Sequence, residues 1–162
     1  MASSTLFENN TVKILLNKDT NININIIRIE FSKIINDIEF QQFLHAYAQV
    51  INVQEETYSL SIDTSFVEIG RDTINNIKLF CDINKMIVDN GKHKHLLCTG
   101  IQILNNNIKI FINSIIQMFY KPYRPLLFYI DNEDIVNFRG ECHSKIQNIL
   151  SSDGNYEVVY CE

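Results

Sequence analysis

Between Tyr58 and Ile130 the chain alternates three short apolar runs with two helix-period segments, and this alternation restricts the fold more than any other feature. In the first run Tyr58, Leu60 and Ile62 alternate with Ser59, Ser61 and Asp63, the two-residue period of a strand with one polar face. The second run, HLLCTGIQIL, and the third, PLLFYID, are nearly continuous apolar runs, as expected of strands with helices above and below them. Between the runs lie two sets of apolar residues at three- and four-residue steps: Ile74, Ile77, Phe80, Ile83 and Ile87, then Ile108, Phe111, Ile112, Ile115, Ile116 and Phe119. Each set puts one apolar stripe on a helix. Strand, helix, strand, helix, strand is the order of parallel strands joined by right-handed helical crossovers.

The flanks extend this pattern. Residues 1–10 are polar and small and are expected to be disordered, which leaves 11–162 as one domain. Val12, Ile14 and Leu16 read as a strand, Asp19 to Asn21 as a turn, and Ile22, Ile24 and Ile26 as the returning strand of a hairpin. At Ile26 and Ile27 the alternation slips by one, which predicts either a bulge or a change from a half-exposed to a fully buried stretch. Asn36 with Glu39 three residues later has the form of a capping box, ahead of a stripe formed by Phe40, Phe43, Leu44, Tyr47, Val50 and Ile51 that should end near Gln54. Asp72 is placed to cap the next helix, Gly91 to end it, and Asn105 to Asn107 to start the one after. A final helix is expected beyond Asp131, with Ile135, Phe138, Cys142, Ile146 and Ile149 as its stripe, and Tyr156 to Cys161 is expected to form an edge strand. The fold expected is therefore α/β: an N-terminal β-hairpin followed by alternating helices and strands, a mostly parallel central sheet of about five strands, and about four helices.

Composition narrows the function. A net charge of −5 argues against general nucleic-acid binding, which needs clustered Lys and Arg to displace counterions from phosphates. The main basic clusters are Lys92-His93-Lys94-His95 and the pair Lys121 and Arg124. Cys81, Cys98, Cys142 and Cys161 show no CxxC spacing and read as reduced thiols in a reducing compartment. The apolar runs are far too short for a membrane span, and the first residues lack the pattern of a secretion signal, so an intracellular, cytoplasmic setting is expected. The 27 isoleucines and 20 asparagines have AT-rich codons in common, a usage that resembles large DNA viruses and AT-rich protists and adds host cytoplasm or virion to the settings expected.

Few residues offer chemistry. Five single glycines form no phosphate-cradling loop, GxGxxG or GxSxG, so no nucleotide and no other cofactor is expected. His93 and His95, with Cys98, are the nearest approach to a metal set; no carboxylate lies close in sequence, and the segment reads as a solvated loop. Cys142 and His143 are adjacent, and neighbouring side chains on a helix diverge by about 100°, so they make no dyad. Asp63 and Glu68 follow the first core strand, Asp72 opens the next helix and Asp131 follows the last core strand; ligands of open α/β sheets sit at such strand ends, although carboxylates there also cap turns and helices. The stripe from Ile108 to Phe119 reads first as cover for the sheet. In a second reading Phe111, Ile115 and Phe119 form one wall of an apolar pocket, with Tyr120, Tyr123 and Arg124 beyond it suited to a head group or a partner surface.

The order of hairpin, helices and strands over about Thr11 to Leu150 resembles the STAS domain of anti-sigma-factor antagonists and anion-transporter tails. LSIDTSFVEIGRDTINNIKLF is similar to the family's strand, loop and helix start, with Asp72-Thr73 in the place of the first two residues of its Asp-Ser-Ser-Gly sequence. Ile74 and Asn75 stand where the second Ser and the Gly would be, so a phosphorylatable hydroxyl falls to Thr73 only with a one-residue shift of the loop. The same order, with LFYIDNEDI after an Ile- and Phe-rich helix, also resembles the CRAL-TRIO (Sec14-like) lipid carriers. The first resemblance implies a non-enzymatic module that binds another protein, or a second copy of itself, through an exposed helix face or the strand-end loops, with Asp63, Glu68, Asp72 and Thr73 in the candidate loop. The second implies a small lipid-binding protein. An enzyme using the strand-end carboxylates is the third expectation, and no assembled catalytic set marks it.

Overall fold

A computed structural model describes residues 3–19, 24–120, 126–129 and 158–160. The element order is β1 (Ser3–Glu8), β2 (Val12–Asp19), β3 (Ile24–Phe31), α1 (Asp37–Asn52), β4 (Tyr58–Asp63), α2 (Thr73–Asp89), β5 (Leu96–Gln102), α3 (Asn106–Phe119), β6 (Leu126–Tyr129) and β7 (Val158–Tyr160). The seven strands form one sheet in sequence order. β1, β2 and β3 pair antiparallel, and every neighbouring pair from β3 to β7 is parallel. The sheet is thus mixed and wider than the mostly parallel sheet of about five strands that the sequence suggests. The expected hairpin is present as β2 and β3, but Ser3–Glu8, expected to be disordered, adds a third antiparallel strand beside it. Three helices lie among the described residues; the expected fourth, after Asp131, falls outside them.

Local chemistry sets several boundaries. Asn36 caps α1 by accepting a hydrogen bond from the Glu39 amide at 3.0 Å. The Glu39 side chain does not return to Asn36 as a capping box would: its carboxylate accepts from the Asn10 amide at 2.8 Å, while the Asn36 amide donates to Thr11 Oγ1 at 3.0 Å. The helix start is thereby fastened to the β1–β2 turn. At the end of α2, Gly91 has φ +72, its amide donates to Val88 O and the Lys92 amide donates to Ile87 O, the paired bonds of a Schellman terminus that only glycine adopts without strain. Asn105 caps α3 by accepting from the Ile108 amide at 3.0 Å.

The slip at Ile26 and Ile27 is a change in burial and not a bulge. β3 pairs with β2 without interruption from Val12↔Phe31 to Asp19↔Ile24, and Ile26 and Ile27, on opposite faces, are both buried. The irregularity sits in β1, between Thr5 and Phe7.

α1, α2 and α3 lie on one face of the sheet; helices above and below it were expected, and the helix expected after Asp131 lies outside the described residues. Phe40 of α1, Phe80 of α2 and Ile112 and Ile116 of α3 line the same cavity as Leu60, Ile62 and Ile101 of the sheet. Parallel strands laid down in sequence order advance in one direction, so crossovers of one hand keep returning on the same side. The core on that side includes Ile14, Ile27, Ile29 and the strand positions facing α1, with five aromatic rings, Phe31, Phe40, Phe43, Tyr47 and Phe80, in contact at centroid distances of 4.9–6.2 Å.

Candidate functional site

The carboxyl ends of β3, β4 and β5 meet two different environments, one on each face of the sheet. On the face away from the helices, the register sets Arg28 beside Ser61, Glu30 beside Asp63, and Asp63 beside Gln102. The Arg28 guanidinium donates to Ser61 Oγ at 3.1 Å, to Asp63 Oδ2 at 3.2 Å and to Gln102 Oε1 at 3.3 Å, and its Nε lies 3.7 Å from Glu30 Oε2. The second Asp63 oxygen accepts from the Ser65 amide at 2.9 Å and from the Ser65 hydroxyl, which turns the chain out of β4. Both oxygens of this buried carboxylate are therefore occupied. An ion pair taken out of water is stable only when its remaining donors and acceptors are satisfied, and this fork of bonds does so.

The strand-end carboxylates do not assemble. Asp63 is buried in the Arg28 cluster, while Glu68 and Asp72 are exposed in and after the β4–α2 loop, and Asp131 lies outside the described residues. Asp72 precedes α2, but its side chain makes no cap hydrogen bond. Thr73 is the residue that organises this turn: its Oγ1 accepts from the Gly70 amide at 2.8 Å and its own amide donates to Gly70 O at 3.2 Å. The loop is anchored on both sides, by Thr64 donating twice to Gln102 O and by the Glu68 amide donating to Lys33 O at 2.9 Å.

The second environment is an apolar cavity of about 140 Å³ between the sheet and α2 and α3. Tyr120, expected beyond the pocket wall, lines this cavity, whereas of the expected wall residues Ile115 is buried and Phe111 and Phe119 are partly buried in the packing of α3. The Lys78 ammonium sits 5.8 Å over the Phe119 ring. Tyr123 and Arg124 lie outside the described residues. Cys81 lines the cavity, and burial pushes its thiol up to about 11, so it is protonated at neutral pH. Two phenols nearby, Tyr47 and Tyr58, are raised above 10 chiefly by burial; the Tyr47 hydroxyl donates to Asn84 Oδ1 at 2.7 Å, joining α1 to α2.

The loops after β3, β4 and β5 and the first turns of α1 and α2 carry exposed apolar side chains, of which Ile69 also lines the cavity. Phe66 is 70% exposed and Ile34 71%, with Ile38, Ile69, Ile74 and Leu104 also exposed. The bond from Glu68 to Lys33 holds the loops after β3 and β4 together, so these residues belong to neighbouring segments. Among the described residues no group of three or more His, Cys, Asp and Glu could hold a metal ion, and no helix is long and apolar enough to cross a membrane. The backbone carbonyls of His93 and His95 accept from Leu96 and Tyr58 in the turn entering β5.

Sequence reasoning missed the Arg28 cluster and the apolar rim. A signal for the first was present in Arg28 and Glu30 alternating with isoleucines on β3 beside a strand with Ser59, Ser61 and Asp63 on one parity. The rim had no such signal, because Ile74 falls on the same helical stripe as the buried Ile87. The chain matches no family model, no curated protein and no solved structure.

Proposed function

We propose that this chain is a non-enzymatic protein-interaction module, STAS-like in architecture, which meets its partner through the loops at the carboxyl ends of β3, β4 and β5. The observation that carries this reading is the apolar rim formed by Ile34, Ile38, Phe66, Ile69 and Ile74 on adjoining segments. Single exposed apolar residues are ordinary, but several on two loops joined by a hydrogen bond and on the helix starts that follow them mark a surface that gains free energy when a partner removes it from water. The full engagement of Asp63 by Arg28 and Ser65 gives that residue a structural part in positioning the loop, which favours binding over carboxylate chemistry.

The Sec14-like lipid carrier is the second reading, and the apolar cavity is its support. At about 140 Å³ it would take one end of an acyl chain and not a whole lipid. The test is affinity capture from the native host cells with wild-type protein and a folded Phe66→Ser/Ile69→Ser variant, alongside native mass spectrometry. A protein, or a second copy of this chain, retained by the wild type and lost by the variant supports the loop surface. Equal retention by both overturns it, and a bound mass that extracts as lipid from an otherwise bare monomer transfers the assignment to the carrier.

A further inference from the structure

Packed protein interiors hold few voids larger than a water molecule, so a cavity of about 140 Å³ is space for a molecule. Apolar cavities of roughly 150 Å³ stay dry and take up benzene. Among the polar side chains of this mostly apolar lining, two stand out. Asn76 in the first turn of α2 is buried, at 8% exposure, and lines the cavity, yet its carboxamide has no hydrogen-bond partner among the described residues. Thr99 on β5 lines it too, and its hydroxyl likewise has none. Asn84 is engaged with Tyr47 and the Phe80 carbonyl, Thr64 with the Gln102 carbonyl and Thr73 with the Gly70 amide, and Tyr120 lines the cavity as well. An apolar site with one amide facing the cavity and no partner among the described residues is the form taken by sites that orient a small ligand by a single polar contact. Among the described lining residues none is charged, so an ionised ligand would be desolvated there without compensation.

We propose that this cavity binds a small neutral molecule, about one aromatic ring in size, whose single polar head is an amide or alcohol that pairs with the Asn76 carboxamide, with Thr99 as a second partner. The carboxamide offers both a donor and an acceptor, so a primary amide, which has both, suits it best. The protonated thiol of Cys81 keeps the site free of negative charge at neutral pH.

The test is titration of the ¹⁵N-labelled protein with four probes of similar size, benzamide, benzyl alcohol, toluene and benzoate, followed by amide chemical shifts. Benzamide and benzyl alcohol are expected to give saturable shifts at residues of α2, α3 and β5 around the cavity, toluene to bind at least tenfold more weakly, and benzoate to give none. Asn76→Leu should weaken benzamide at least tenfold while leaving toluene unchanged or tighter, and Thr99→Val should weaken benzyl alcohol and benzamide by a smaller factor. Absence of saturable shifts for every probe, equal binding of benzamide and toluene, or equal loss of both in Asn76→Leu overturns the proposal. If Asn76→Leu does not fold, the wild-type probe series and Thr99→Val decide it by the same criteria.

Discussion

Replacing Arg28 by Met keeps an unbranched apolar stem and removes the guanidinium that holds the polar face of the sheet together. Asp63, whose side chain is 6% exposed, would then keep its bonds to Ser65 but lose its counter-ion, and Ser61 and Gln102 would each lose a donor. Removing one partner of a buried pair costs about 3–5 kcal/mol, because the remaining charge is left without compensation. Domains of this kind have a total stability of roughly 5–15 kcal/mol, so Arg28→Met is expected to bring the protein near its folding limit. With a urea dependence of about 2 kcal/mol per molar, the unfolding midpoint falls by about 2 M. The double variant Arg28→Met/Asp63→Leu removes the stranded carboxylate as well, and its cost is expected to be smaller than the sum of the two single costs by at least about 1 kcal/mol. Urea unfolding of wild type, both single variants and the double variant, followed by circular dichroism at pH 7, closes the cycle. A cost below about 1 kcal/mol for Arg28→Met, or additive costs in the double variant, would refute the reading of this cluster as a coupled buried ion pair.

Three further outcomes are expected. Phe43, wholly buried against Phe31, Phe40, Tyr47 and Phe80, should lose about 3–5 kcal/mol on substitution by Ala, measured by the same unfolding assay. Cys81, Tyr47 and Tyr58 all hold their protons more tightly folded than unfolded, so their contribution is complete below the unfolded values of 9 and 10 and is lost as pH rises above them. Urea midpoints should thus be level from pH 7 to about 8.5, then fall through pH 11, with a shallower fall above pH 10 in Tyr47→Phe; an unchanged slope in that variant would remove Tyr47 from the account. Glu39→Ala should loosen the β1–β2 turn through loss of the bond to the Asn10 amide, seen as faster hydrogen exchange in β1 and β2 while α2 and α3 are unaffected.

The features legible in the sequence were those governed by neighbours a few residues apart. Asn36 caps α1 and Asn105 caps α3 because a side-chain oxygen reaches amides of the next turn, and Gly91 ends α2 because a left-handed residue is needed there. The stripe of α1 buried Phe40, Phe43, Leu44, Tyr47 and Ile51 as its period required. Where a side chain had a choice of distant partners, local pattern chose wrongly. Glu39 went to the β1–β2 turn and not back to its own helix, and Asp72 left the turn before α2 to Thr73. The candidate loop Asp63, Glu68, Asp72 and Thr73 was legible as a strand-end loop, but the division of labour within it was not, since Asp63 is fixed by Arg28, 35 residues earlier.

By itself the sequence determined the alternation of strands and helices from β2 to β6, the placing of the helix ends, and which parity of each strand is apolar, because these follow from side-chain period and short-range backbone chemistry. Only the tertiary structure decided the rest. Strand order placed α1, α2 and α3 on one side of the sheet, and register brought Arg28 against Ser61, Asp63 and Gln102, so that the polar parity of β4, which reads as a surface, is buried throughout. The packing of α2 against the sheet exposed Ile74 and buried Asn76 at the wall of a cavity. A residue's own chemistry states what it can bond to or exclude; which neighbours it receives depends on segments far away in the chain.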